Sequence, residues 1–358
     1  MAHIPPKATF DFRRKVAPVL REIRSGESPR ELLLNSLQLK QWGWEVAFSD
    51  SRWSGPWVGF RRRVARYTEL PDIQAFRDWR SSSVVVIASR TPLLLILFAR
   101  LTQRPVVLLD ALQNRPERWR GILHKSLCLR LANQVILYSQ PQADEWSQEF
   151  SIPKDRVRAI PYGIDTDFYN RKIANAERPG DNRTYILSVG RDPERDFFTL
   201  CDGAERAGLD AKIVSMRYLV PETLTNRKNV GFFENLPYAE LFRLYRGTLA
   251  VVIPIKRDVT YMAGVRAAME AMAMGILVIA TRTRGLESYF AEDQEIVYFT
   301  PGNAKDLGAK LQDVRARPEF YEGIARAAQA KVREQYDAGV VSRFLNDCLR
   351  DVTGTETR

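Results

Sequence analysis

Short apolar runs of strand length alternate with stretches of helical periodicity along almost the whole chain. WEVAFSD (44–50), SVVVIAS (83–89), RPVVLLD (104–110) and NQVILYS (133–139) form a first series. TYILSVG (184–190), AKIVSM (211–216), TLAVVIPI (248–255), ILVIAT (276–281) and IVYFT (296–300) form a second. These runs are continuous and rich in Val and Ile, the pattern of strands buried on both faces. Helical patterns fall between them, near 116–132, 140–150, 196–208, 238–247 and 264–274, and the tail from about 304 to 352 reads as helical. Strand and helix in alternation specify an α/β protein with parallel sheets covered on both faces. The polar stretch NRKIANAERPGDNR interrupts the alternation and separates the two series. The chain has 358 residues, and at about 150 residues per domain this supports two domains. Ser28-Pro29-Arg30-Glu31 has the form of a capping box with Pro at the first helical position. It predicts one helix, ELLLNSLQLKQW, ending at Gly43.

Composition narrows the function. The chain is 45% hydrophobic and 27% charged, with a formal charge of +11, which excludes disordered and collagenous classes. Three separated cysteines (Cys128, Cys201, Cys348) and two histidines (His3, His124) offer neither a disulfide framework nor a zinc pattern. They fit a reducing, cytoplasmic setting. The N-terminus lacks the apolar region of a secretory signal. The longest apolar run, PLLLILFA, stops at Arg100, far short of the roughly 20 residues a membrane span needs. Residues 1–170 hold 26 Lys+Arg against 17 Asp+Glu, and residues 171–358 hold 28 against 26. The positive charge therefore sits in the first half, where an anionic partner would be met.

In parallel α/β sheets, ligands bind beyond the carboxyl ends of the strands. The strand at 184–190 leads into Gly190-Arg191-Asp192-Pro193-Glu194-Arg195-Asp196. Two arginines at a strand-to-helix turn can hold a phosphate or diphosphate, or can pair with the neighbouring carboxylates. The strand at 248–255 leads to Gly264, where a backbone can approach closely, and then to a helix carrying Glu270. A carboxylate there can accept two hydrogen bonds from a ribose diol; equally, it can form an i, i+4 ion pair with Arg266. Asp165-Thr166-Asp167 spells a D-x-D that elsewhere holds a metal, but it does not follow a strand over a nucleotide, and no metal site is expected. His124 reads as a solvated or core-edge side chain. Dinucleotide, P-loop and hydrolase-elbow motifs are absent. So are helix-turn-helix, RNP and zinc patterns, so no nucleic acid is expected as a partner.

Several segments resemble the GT-B glycosyltransferases, and in particular glycosyltransferase family 4. IPYGIDTDFY (160–169) is similar to the family's domain-junction segment, and ILSVGRDPERDF (186–197) to its Val-Gly-Arg…Lys segment. NVGFFENLPYAELFRLYRGTLAVVIPI (229–255), MEAMAMGILVIATRTRGLESYF (269–290) and PGNAKDLGAKLQDV (301–314) continue the likeness, and GESPRELLLNSLQLKQWGWEV resembles the first loop, helix and strand. The resemblance implies two facing Rossmann-like domains and a C-terminal helical tail. Residues 1–165 would be the acceptor side and residues 166–335 the nucleotide-sugar side. Residues 336–358 would be a helix packing back toward the first domain.

The resemblance also implies roles. Arg191 and Arg195 would contact the donor diphosphate, with Gly190 in the same turn. Gly264 and Val265 would bring backbone to the phosphate, Glu270 would hold the ribose, and Gly26 would correspond to a glycine loop near the first strand. Asp110 ends a strand near the position of the family's first-domain histidine and is a weaker catalytic candidate. Met262 stands where the family has the first Glu of its Glu–seven residues–Glu pattern, and Leu277 replaces a proline. The implied reaction is metal-independent, retaining transfer from a UDP- or GDP-sugar to an acceptor hydroxyl, with no cofactor. The acceptor would be a saccharide or lipid-linked molecule of polysaccharide or glycolipid synthesis. A catalytically silent nucleotide-sugar-binding relative is the alternative. FRRKVAPVLREIR (12–24) and WVGFRRRVARY (57–67) interleave Arg with apolar residues, which fits peripheral contact with an anionic membrane on its inner face, equally a solvated basic face, or an anionic acceptor.

Overall fold

The computed structural model describes residues 5–12, 16–49, 79–89, 91–110, 119–176 and 184–355. The segment WVGFRRRVARY and the second half of the polar interdomain stretch lie outside them. The chain divides into two compact units, residues 1–163 with 338–358, and residues 164–337.

The first unit is built on six parallel strands: β1 (Lys7–Asp11), β2 (Glu45–Ser49), β3 (Val84–Ala88), β4 (Val106–Leu109), β5 (Gln134–Leu137) and β6 (Val157–Ala159). Their order is β2-β1-β3-β4-β5-β6. Every residue of β3, β4 and β5 is buried, which is why these runs carry no polar alternation. The apolar faces pack on helices Leu93–Leu101, Trp119–Leu131 and Gln140–Glu149 through Leu95, Ile96, Leu129, Ala143 and Trp146. Inside this layer the Lys125 ammonium lies 3.7 Å from the centre of the Trp146 ring, and burial brings its pKa down to about 8.

The last helix, Ala338–Thr353, completes the first unit. It buries Val341, Leu345 and Leu349 and is fastened by polar contacts. Trp44 Nε1 donates to Asn346 Oδ1 at 3.0 Å, Trp42 Nε1 to Ser342 Oγ at 3.0 Å, and Arg350 Nη2 to the Trp42 carbonyl at 2.9 Å.

The helix predicted over residues 31–42 is not continuous. Two 3₁₀ segments, Arg30–Leu33 and Ser36–Trp42, are separated by Leu34 and Asn35 with φ of 52° and 59°. Asn tolerates this left-handed conformation, and here its Nδ2 donates to the Gly163 carbonyl at 3.3 Å. The capping box does not form either. Ser28 Oγ donates to Glu22 Oε2 at 2.9 Å, so its hydroxyl serves the preceding helix, Val16–Arg24. Gly43 does end the segment, with φ 83°.

The second unit has strands β7 (Tyr185–Val189), β8 (Asp210–Val214), β9 (Val230–Phe233), β10 (Val251–Ile253), β11 (Val278–Thr281) and β12 (Val297–Phe299). All are parallel, in the order β12-β11-β10-β7-β8-β9. The chain starts in the middle of the sheet at β7, builds outward to β9, and returns to β10 on β7's other side. The carboxyl ends of β7 and β10 therefore flank a topological switch point, where a crevice opens in open α/β sheets. One face of this sheet packs on helices Phe197–Arg206 and Ala304–Ala316 through Leu200, Ala204, Leu307 and Leu311.

Leu345 is 1% exposed. Leu345→Ala should therefore cost about 2–5 kcal/mol in urea unfolding. A loss below about 0.5 kcal/mol, the size of an ordinary surface change, would contradict the placement of the last helix in the first unit's core.

Candidate functional site

The turn after β7 is zipped against the segment after β10. The Asp196 amide donates to the Pro254 carbonyl at 3.0 Å and the Lys256 amide to the Glu194 carbonyl at 2.8 Å, with an antiparallel bridge between Arg195 and Ile255. Asp196 then caps helix Phe197–Arg206, accepting from the Thr199 amide at 3.1 Å and the Thr199 hydroxyl at 2.6 Å. Asp192 shapes the turn: its Oδ1 accepts from the Glu194 amide at 2.8 Å, and its carbonyl accepts from the Arg195 amide at 3.1 Å.

This geometry folds Arg195 back over the end of β7. Its side chain crosses Gly190 so closely that a Cβ there would stand 2.4 Å from Nη2. Only glycine leaves that space. Arg195 is 4% exposed, and Nη2 donates to the Val189 carbonyl at 3.0 Å. Nε and Nη1 are buried and have no partner. Burial brings the pKa down to about 10, with Asp192 the main group opposing that shift. Buried polar groups are almost always paired, and a buried charge with open donors is costly. Such open guanidinium donors can hydrogen-bond an anion. Arg191, on the same turn, is exposed to solvent.

The loop after β10 supplies the other wall. Gly264 has φ 78°, and a Cβ on it would meet Ile253 Cγ2 at 2.4 Å. It starts helix Val265–Ala273 with no side-chain cap, and the Val265 amide donates to the Met262 carbonyl at 3.1 Å. Val265 itself is buried. Tyr261 Oη donates to Asp192 Oδ1 at 3.2 Å and so ties this loop to the arginine turn.

Glu270 lies on the same helix. Its Oε1 accepts from Arg266 Nε at 2.8 Å and from Tyr169 Oη at 3.0 Å. The i, i+4 ion pair is thus formed. Oε2 receives only a long contact, from Tyr245 Oη at 3.4 Å, and keeps room for another donor. Tyr245 is buried, and its ionisation is disfavoured first by burial and then by Glu270; Arg195 acts on it in the opposite sense.

The structure therefore gathers Gly190, Arg195, Gly264 and Glu270 around Tyr245 and Tyr261 at the switch point of the second sheet. Sequence reasoning missed Tyr169, Asp192, Tyr245 and Tyr261. Tyr261 and Asp192 adjoin residues already singled out, whereas nothing in the sequence marks Tyr169 or Tyr245. A cavity of about 580 Å³ at the amino edge of this sheet, near Thr248 and Leu277, is lined by none of Arg191, Arg195, Gly264 and Glu270.

Gly26 and Asp110 belong to the first unit. Gly26, with φ 71°, follows helix Val16–Arg24, and its amide donates to the Ile23 carbonyl at 3.1 Å. That is a helix-terminating role. Asp110 ends β4 with φ 52°, next to Ser89, which ends β3 with φ 56°. Left-handed backbone at two adjacent strand ends is a strained arrangement. The D-x-D segment is used structurally: Asp165 Oδ1 accepts from the Phe168 amide at 3.3 Å, and Thr166 Oγ1 donates to Asp337 Oδ2 at 2.6 Å. His124 is exposed, with Nε2 2.8 Å from the Thr91 carbonyl. No group of three or more His, Cys, Asp and Glu suited to a metal occurs among the described residues.

Asp110 is half-buried; desolvation raises its carboxyl from 3.8 to about 7, and a 3.4 Å hydrogen bond from Ser89 Oγ opposes that only in part. An unfolded aspartate ionises near 3.8, so the fold is favoured fully below that pH and loses this contribution as pH rises through about 7. Asp110→Asn cannot ionise and should flatten the decline, measured by urea unfolding at about pH 4 and about pH 8. The same decline in both proteins would contradict the raised Asp110 carboxyl.

Residues 196–346 match the family described as "Glycosyl transferase-like". A search of curated proteins finds no sequence match. Among solved structures, a glycosyltransferase from Rickettsia africae superposes with a TM-score of 0.70 at 15% identity, covering 99% of this chain and 100% of that one. Anabaena HepE in complex with UDP-glucose gives 0.69 at 16% identity, covering 96% and 99%. Sucrose-phosphate synthase from Thermosynechococcus elongatus gives 0.69 at 15% identity, covering 98% and 100%. The chain has the GT-B fold of these proteins, and most of its second unit, together with part of its last helix, resembles the glycosyl transferase-like family.

Proposed function

We propose that this protein is a glycosyltransferase that takes a nucleoside diphosphate sugar and moves its sugar to an acceptor hydroxyl. The observation that carries this reading is the buried Arg195 guanidinium, with Nε and Nη1 unpartnered at the switch point of the second sheet. The likeness to structures that include HepE bound to UDP-glucose supports the same reading.

The bond to be broken joins the sugar's anomeric carbon to a diphosphate oxygen, and negative charge grows on that oxygen as it leaves. Arg195 places a fixed positive charge there, in a site with little water. Its charge needs no reorganisation, because Gly190 and the Val189 carbonyl already hold it in place. The start of helix Val265–Ala273, which has no side-chain cap, adds the positive end of a helix dipole. Arg191, exposed on the same turn, is free to reach the outer phosphate oxygens. Glu270 accepts from the ribose hydroxyls through Oε2, while Arg266 and Tyr169 hold Oε1. Met262 offers no hydrogen bond to the donor sugar, so sugar preference rests on other groups. We further propose that transfer retains anomeric configuration, that the donor is a UDP- or GDP-sugar, and that the acceptor is a saccharide or lipid-linked molecule. The setting proposed is cytoplasmic, on the inner face of a membrane.

Arg195→Met removes two charge-assisted hydrogen bonds to the donor, each worth about 1.5–3 kcal/mol. It should weaken nucleoside diphosphate binding by about 100-fold or more in calorimetric titration and slow donor turnover by about 100–1000-fold. Because the buried charge disappears as well, the ligand-free variant should keep or raise its Tm. Unchanged nucleotide affinity would overturn the diphosphate role. Glu270→Ala should reduce affinity for UDP or GDP while leaving inorganic diphosphate binding intact. Equal affinity for the nucleotide would remove the ribose role.

A further inference from the structure

Eight large apolar side chains are strongly exposed among the described residues, and five of them are leucines on two helices of the first unit. Leu94, Leu97 and Leu101 lie on Leu93–Leu101; Leu123 and Leu127 lie on Trp119–Leu131. Leu101 is 83% exposed and Leu123 62%. Spacings of three and four residues put each set on one stripe of its helix.

The two helices are fixed side by side. His124 Nε2 is 2.8 Å from the Thr91 carbonyl, just before the first helix, and Cys128 Sγ donates to the same oxygen at 3.2 Å. At the other end Arg100 Nη1 donates to the Leu131 carbonyl at 2.8 Å. The stripes therefore belong to one face of the unit. Isolated exposed leucines are ordinary, but five on neighbouring helices form a patch of the kind that marks an interaction surface.

Charge identifies the occupant. Neither helix contains Asp or Glu, and residues 79–109 contain none. Arginines collect where the helices end, at the amino edge of the sheet: Arg100, Arg104, Arg130 and Arg156. Three of them donate to backbone carbonyls, those of Leu131, Arg80 and Arg130. A carbonyl satisfies the donor but leaves the positive charge uncompensated. Leucines beside arginines, on two helices that themselves carry no carboxylate, match the boundary between acyl chains and anionic headgroups, while the neighbouring acids Glu149 and Asp155 belong to other elements.

We propose that the face formed by helices Leu93–Leu101 and Trp119–Leu131 seats this protein on an anionic lipid bilayer. Leucines enter the headgroup boundary, and arginines at the amino edge meet lipid phosphates. The first unit's switch point, between β1 and β3, lies at the opposite, carboxyl edge of the sheet, so seating leaves it open. This placement rests on helices other than the segments 12–24 and 57–67, and it holds whether or not the donor assignment is right.

The test is sedimentation of the full chain with phosphatidylcholine vesicles with and without phosphatidylglycerol, across a salt series. The protein should pellet with the anionic vesicles and much less with the neutral ones, and release as salt rises. Leu97→Ser/Leu101→Ser and Leu123→Ser/Leu127→Ser should each weaken binding about tenfold or more. Leu101 and Leu123 are mostly exposed and Leu97 and Leu127 about two-fifths exposed, so circular dichroism should stay unchanged and Tm should fall only slightly. Arg104→Gln should reduce the salt dependence. The proposal is overturned if the protein stays in the supernatant at low salt, or if the leucine variants bind like the parent. It is also overturned if size-exclusion chromatography shows a dimer that the leucine variants lose, because the face would then belong to a second copy.

Discussion

A guanidinium buried at the carboxyl edge of a parallel sheet, with two of its nitrogens unpaired, is an unfinished interaction. The protein carries the cost of dehydrating Arg195 and recovers only part of it through one backbone carbonyl. Much of the local structure is arranged to keep that charge in place. Gly190 gives up a side chain so that the guanidinium can lie across it. Asp192 holds the turn and offsets the burial of the charge. Tyr261 joins the turn to the loop after β10. The sheet order makes this possible, because only at the switch point do two successive carboxyl-end loops diverge and leave a crevice.

The second unit was the more legible half in sequence. Most of its strands are buried apolar runs, an exception being β9, VGFF and half-buried throughout, and its motif residues lie in the segments after strand ends, so the positions of Arg195, Gly264 and Glu270 could be reasoned out. The tyrosines could not. Tyr169 and Tyr245 reach Glu270 from helices 101 and 25 residues away in sequence, and such contacts leave no local period. The Arg266–Glu270 pair, an alternative to ribose binding in sequence, exists together with an open Oε2. The ion pair orients the carboxylate without filling it.

The first unit was harder to read, for identifiable reasons. β1 is five residues following two prolines, and β6 is three residues with only its first fully buried. Neither gives a strong apolar run, yet β1 lies between β2 and β3 in the sheet. The segment 31–42 has helical periodicity, but a polar contact from Asn35 to Gly163 outweighs it and breaks the helix at a left-handed pair. Local propensity yielded to a tertiary hydrogen bond. Arg100 and Arg130 lie beside exposed leucines on two helices, of which the sequence marked one only as an apolar run ending at Arg100 and the other as helical.

The most direct measurement is a crystal structure with UDP or GDP bound. The account predicts diphosphate oxygens within about 3 Å of Arg195 Nε and Nη1, with the ribose hydroxyls on Glu270 Oε2. A diphosphate bound elsewhere, with those two nitrogens still unpaired, would contradict it.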